Sequence, residues 1–152
     1  MTRRLARRHA FSLVYQLPFF QETTVETLAQ AKKWYYEDLD NDPDQTRPKG
    51  KHADYIDRVV WGVFDRLAEL DGVIENFLRG WDIDRINRID LAIMRLAIYE
   101  MLCEKDVPHG TAVNEAVEIA KEFGADESPS FVNGVLGNIS RSIAKQGRDN
   151  IG

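Results

Sequence analysis

Four arginines stand in the first eight residues, Arg3, Arg4, Arg7 and Arg8, and no aspartate or glutamate precedes Glu22. At ~100° per residue these four cover an arc of about 140° on one side of a helix. Arg4, Arg8, Phe11 and Tyr15 follow one another at helical spacing, so a basic stripe runs into two aromatics. Ala6, Ala10, Leu13 and Leu17 make the opposite stripe, expected to face the core. Charge runs are usually a solvated helix end. Cations at a helix N-terminus, however, oppose the macrodipole by roughly a few tenths of a kcal/mol each, so helix stability gives no reason for four of them. Phosphate does. Guanidinium forks match phosphate oxygens, and neighbouring aromatics can stack on unpaired bases, which favours RNA or single strands.

A second candidate is Ser128-Pro129-Ser130-Phe131-Val132-Asn133-Gly134. A helix N-terminus offers free N–H groups to an anion, and Ser128 and Ser130 add hydroxyls. Asp126 and Glu127, just upstream, would repel phosphate. The plainer reading is therefore an N-cap with acidic dipole partners and Phe131 in the core. Gly134 and Gly137 have the spacing of a nucleic-acid-clamping loop, but they fall inside a helical stretch, where close helix packing is the better account.

Other constellations close quickly. Asp40, Asp42 and Asp44 alternate as in a calcium loop, yet Gln45 stands at the turn and Lys51 where a bidentate glutamate is needed. His9, His52 and His109 lie far apart, without metal-ligand spacing. Asp82, Asp84 and Asp90 read as caps and surface partners for Arg85 and Arg88. Cys103, the one cysteine, excludes an intrachain disulfide, fits a reducing cytosol and reads as a buried, inert thiol. No nucleophile–base order, phosphate-cradling glycine loop or carboxylate pair stands out. Neither catalysis, a metal nor a cofactor is expected.

The elements that must position the arginines are helical. The 152 residues suit one domain, and 43% hydrophobic with 30% charged residues argues against global disorder. A net charge of −5 excludes a uniformly basic nucleic-acid binder but permits a local patch. No apolar run approaches the ~18 residues of a membrane span, and no signal-peptide core follows the charged N-terminus, so a cytoplasmic chain is expected. Helices are predicted from about Arg3 to Leu17, ended by Pro18, and from a Thr23–Glu26 capping box to about Leu39. A long acidic loop follows at about 40–52. A helical run from Ala53 is broken near Gly72 and closed by Gly80. Asp82 or Asp84 caps a helix to Cys103 whose apolar residues point nearly all round, marking it as the central one. Thr111 caps a helix ending at Phe123, with Gly124 as a left-handed stop. Ser128 and Pro129 serve as N-cap and first residue of a last helix to about Ala144, followed by a frayed tail at about 146–152. The fold class is all-α: a single compact helical-bundle domain of six or seven helices, with room for two helical halves.

These segments together resemble the NusB family of bacterial transcription antitermination factors. The resemblance rests on the arginine-rich opening followed by Ala10–Gln16 (AFSLVYQ), on Asp84–Glu100 (DRINRIDLAIMRLAIYE), on Val107-Pro108, on Val113–Gly124 (VNEAVEIAKEFG) and on Phe131–Leu136 (FVNGVL). Order and spacing agree over nearly the whole chain. The stretch from Trp34 to His52 departs, with a longer and more acidic loop, and Gly137 replaces an acidic residue.

The resemblance implies an all-helical, non-enzymatic RNA-binding protein. Its partners would be NusE, a small-subunit ribosomal protein, and the boxA element of ribosomal RNA leaders. With the other Nus factors the complex would join elongating RNA polymerase and suppress termination. By position, Arg3, Arg4, Arg7 and Arg8 match the RNA-binding segment, Phe131 an aromatic near the bases with Ser128 and Ser130 beside it, and Tyr15 and Glu100 the NusE side. The two ends of the chain would make one RNA surface if they pack together. Two alternatives stand beside this: a helical protein-interaction module without RNA, and the RNA-binding domain of a ribosomal RNA methyltransferase. A monomer and a homodimer that hides the RNA surface are both open.

Overall fold

The computed structural model describes residues 1–16, 24–78 and 80–151, with side chains described as far as 146. Among them are seven α-helices: α1 (Arg3–Gln16), α2 (Val25–Asn41), α3 (Gly50–Asp65), α4 (Leu67–Phe77), α5 (Arg88–Cys103), α6 (His109–Phe123) and α7 (Ser128–Ile151). A 3-10 turn, Ile83–Arg85, precedes α5, and no strand occurs among the described residues. Among the described residues the fold is all-α, as the apolar periodicity predicts. It divides into two compact units, residues 1–64 with α1 to α3 and residues 65–152 with α4 to α7.

In the first unit, the Thr2 hydroxyl accepts the Leu5 N–H at 3.1 Å and opens α1. Ala6, Ala10 and Leu13 are buried as their spacing predicts. Phe11 is buried too, at 4% exposure, so it belongs to the core rather than to the basic stripe. Leu17, Pro18 and Thr23 lie outside the described residues. The capping box found at α2 pairs Thr24 with Thr27, not with Glu26, which instead places its charge in the positive first turn. The loop is shorter than expected, 42–49, because its acids close it. Asp40 receives the Arg47 fork at 3.1 and 2.6 Å, and Asp42 accepts the Asp44 N–H at 2.9 Å. Gly50, at φ +59°, then turns the chain directly into α3, three residues before Ala53. Tyr55, Ile56, Val59, Val60 and Val63 form its buried stripe.

The second unit begins where the long apolar run breaks. The break falls at Arg66, not at Gly72, which sits exposed inside α4 with open space around it. The run serves two cores, and the helix ends where one hands over to the other. Asp82 caps only the 3-10 turn; α5 is capped by Asn87, whose side-chain oxygen accepts the Ile89 N–H at 2.8 Å. Every residue from Asp90 to Met101 is buried, so α5 is the central helix. Within it the Arg95 guanidinium grips Asp71 of α4 through two bonds of 2.7 and 2.8 Å. The helix α6 starts at His109, straight after Pro108, which leaves Thr111 in the first turn rather than at the cap.

Two further differences concern α7. Gly124 is extended (φ −90°, ψ −176°), not left-handed. What it supplies is room. A Cβ there would lie 2.6 Å from Ser128 Cβ and 2.8 Å from the Ala120 carbonyl oxygen. Gly124→Ala is therefore expected to destabilise the protein by about 2 kcal/mol, read as a lower urea midpoint. Ser128 is inside the first turn of α7: the Phe131 N–H bonds to the Glu127 carbonyl, which puts Glu127 at the cap. With no proline after Pro129, nothing in the sequence stops α7 at Ala144, and it runs on to Ile151 through the stretch expected to fray. Neither Gly134 nor Gly137 marks a tight helix contact, since the first faces open space and the second meets only the Arg141 guanidinium, at 3.5 Å.

Candidate nucleic-acid interface

On α1 the four arginines separate into two sets. Arg4 is exposed and Arg8 half-exposed, with the Arg8 Nη1 donating to the Arg4 carbonyl at 3.3 Å. Arg3 and Arg7 lean toward the buried Tyr55 ring of α3, their guanidinium carbons 4.0 and 5.9 Å from its centroid. Arg58 of α3 approaches the same ring at 6.0 Å. The ring quadrupole attracts each of these three cations. Arg3 remains half-exposed, but Arg7 is only 5% exposed. The expectation that Arg7 lies on the surface is corrected accordingly. Its position on the helix turns it to Tyr55, a neighbour that spacing within α1 does not reveal. His9 is buried beside it, its Nδ1 2.5 Å from the Tyr35 hydroxyl, and burial pushes the imidazole below its ordinary value. Neutral imidazole there adds no charge to the arginine face.

At the start of α7, Ser130 is exposed and Phe131 half-exposed, so Phe131 is not the core residue that the plainer reading made it. Ser128 is the reverse. It is 1% exposed, and its hydroxyl accepts the Ala125 N–H at 3.0 Å. The same hydroxyl bonds to Asp90 of α5, itself 7% exposed and therefore neither a cap nor a surface partner of Arg88. Ser128 thus fastens the turn before α7 to the central helix and leaves Ser130 and Phe131 as the outward side chains.

Burial pushes the Asp90 carboxyl up from 3.8, the nearby Glu127 pushes the same way, and the Ser128 bond works against both. A carboxyl that holds its proton more tightly folded than unfolded loses stability for the fold as pH rises from 3.8 through the folded-state value. Asp90→Asn keeps an oxygen for Ser128 and removes the titration. Its stability relative to the parent protein should therefore improve between about pH 4 and pH 7, measured as urea midpoints across that range.

The two residues expected on the NusE side differ in access: Tyr15 is half-exposed on α1, while Glu100 is 1% exposed inside α5. Cys103 is half-buried at the end of α5, not fully buried, and burial pushes its thiol up, away from the reactive thiolate. Sequence reading missed the Arg95–Asp71 pair and the Tyr55 ring. The signal for the first was present: an arginine within a helical stretch buried on every side needs a counter-charge. Nothing in the order of residues announced the second. Among the described residues, no group of His, Cys, Asp and Glu is arranged to hold a metal ion, and no helix is long and apolar enough to cross a membrane.

What this arrangement can do chemically is bind anions on an arginine-bearing first helix carried by an all-helical scaffold. The family model described as the NusB family matches residues 4–141, from the arginine segment well into α7. The transcription antitermination protein NusB of Acetivibrio thermocellus is 44% identical over 139 residues, 91% of this chain and 88% of its own length. Among solved structures, T. maritima NusB superposes with a TM-score of 0.79 at 30% identity, covering 93% of this chain and 92% of the other. A structure of antitermination factors NusB and NusE in complex with double-stranded RNA gives 0.76 at 24% identity, covering 92% and 96%; at that identity the likeness speaks for the fold alone. The chain belongs to the NusB family.

Proposed function

We propose that the chain is a transcription antitermination factor. It binds boxA RNA of ribosomal RNA leaders together with NusE and joins the elongating polymerase with the other Nus factors. The observation that carries this reading is the family match over residues 4–141, which includes Arg4, Arg7 and Arg8. The dsRNA complex of a structural neighbour supports RNA and NusE as the partners.

Arg4 and Arg8, with the half-exposed Arg3, neutralise phosphates. Phe131 stacks on a base while Ser130 bonds to the RNA. Arg7 and Ser128 act from beneath, Arg7 by ordering the face over Tyr55 and Ser128 by fixing the start of α7. Tyr15 on α1 contacts NusE, and Glu100, from inside α5, acts on NusE binding indirectly. The protein works by binding, without catalysis or a cofactor, as one RNA-binding module in the cytoplasm.

The test is transcription by purified polymerase through a terminator placed downstream of boxA, with NusE and the other Nus factors present. Readthrough that rises when this protein is added, and only on the boxA template, is the expected result. Readthrough unchanged by the protein would refute the reading.

A further inference from the structure

The first unit holds a cavity of about 490 Å³ lined from α1, α2, α3 and the loop at Arg47. Its size falls within the ~300–1,000 Å³ of small-molecule sites. Leu13, Leu28, Ile56 and Val60 give it an aliphatic floor, and Trp61 a flat wall. None of this belongs to the arginine face of α1 or to the start of α7.

One polar group in the wall is out of place. Tyr36 is 7% exposed, and its hydroxyl is buried with no hydrogen-bond partner. Burial, followed by the charge of Asp57 and by Tyr35, pushes this phenol up to about 12, so at neutral pH it keeps its proton and needs an acceptor. Cations surround the ring: the Arg47 guanidinium is 5.2 Å and the Lys32 ammonium 5.8 Å from its centroid. Lys32 is paired with Asp57 at 2.5 Å and Arg47 with Asp40. Lys33, exposed at the rim, adds a further positive charge, and Glu37 is the other acid of the lining. With Lys32 held by Asp57 and Arg47 by Asp40, the charges around the lining balance, and of its buried polar groups the Tyr36 hydroxyl is left unanswered. A water could answer the phenol, but it would leave the aliphatic floor and the indole uncovered.

We propose that this cavity binds a small flat aromatic molecule carrying a hydrogen-bond acceptor, its ring against Leu28, Ile56, Val60 and Trp61 and its acceptor oxygen receiving the Tyr36 hydroxyl proton. The ligand supplies the acceptor that the phenol lacks. Its ring covers the aliphatic floor.

Anilinonaphthalene sulfonate, whose naphthalene ring is flat and whose sulfonate oxygens accept hydrogen bonds, is a direct probe. Titrated into the full chain, it should bind saturably at one site per protein and be displaced by indole acetate. Tyr36→Phe removes one oxygen without changing the shape of the wall and should weaken dye binding about tenfold. Ala29→Trp, which places an indole into the same cavity, should abolish it, with thermal melting used to show that each variant is folded. The absence of saturable binding would overturn the proposal. So would dye binding unchanged in Tyr36→Phe, a variant conservative enough to decide the matter if Ala29→Trp fails to fold.

Discussion

Reversing both outward charges of α1, Arg4→Glu together with Arg8→Glu, is expected to lower RNA affinity by about a hundredfold at physiological salt. Each arginine that neutralises a phosphate releases condensed counterions, so losing two flattens the slope of log affinity against log salt by about 1.8 for a duplex and somewhat less for a single strand. The reversed charges add repulsion. The same change in net charge placed elsewhere, Lys105→Glu with Lys121→Glu, should cost far less and leave the slope nearly unaltered; both lysines are exposed, one after α5 and one on α6. Anisotropy titrations of labelled RNA at several salt concentrations separate the two. If both pairs weaken binding equally, the effect is one of net charge and α1 is not the contact. Neither arginine faces the core as Arg7 does, so thermal melting should change little in the α1 variant.

The largest loss of stability is expected from Asp71→Ala. Arg95 is 9% exposed at its side chain and lies in the buried stretch of α5, where Asp71 of α4 answers it with both oxygens. Removing the carboxylate leaves a largely buried guanidinium without the acid that answers it. Breaking a buried pair by deleting one partner costs about 3–5 kcal/mol, a large share of the 5–15 kcal/mol that holds a typical domain together. Asp71 is itself 22% exposed, so some water reaches the site and the lower half of that range applies. Replacing both partners with apolar residues, Asp71→Leu with Arg95→Met, leaves no stranded charge and should recover most of the loss. Urea unfolding of the single and double variants measures both. A double variant as unstable as the single one would mean that the pair holds α4 against α5 by geometry that hydrophobic packing cannot replace.

The pattern of what was legible in the sequence follows from the range of the forces involved. Helix periodicity is local, so the stripes of α1 and α3 and the all-round burial of α5 could be read directly. Boundaries were less certain because caps compete at neighbouring positions. Thr24 with Thr27 replaced Thr23 with Glu26, Asn87 replaced Asp82 or Asp84, and Glu127 replaced Ser128. Gly124 was recognised as necessary for the wrong reason: it yields space to Ser128 rather than a left-handed turn. The candidate site was legible as a set of charges but not as a surface. Which arginines face outward depends on Tyr55, some fifty residues away in the chain, and the hold on Ser128 depends on Asp90, whose sequence context looks like that of an ordinary cap. Contacts between elements carry no periodic signature. They decided four things that spacing could not: Phe11 inside, Arg7 inside, Ser128 inside and Phe131 partly out.

The central claim is that this protein, with NusE, reads boxA RNA. The most direct measurement is fluorescence anisotropy of labelled boxA RNA titrated with the protein, alone and with NusE, beside a scrambled RNA of the same composition. The expected result is weak binding by the protein alone, tighter binding with NusE, and a clear preference for boxA over the scrambled sequence. Equal affinity for the two RNAs, unchanged by NusE, would contradict it.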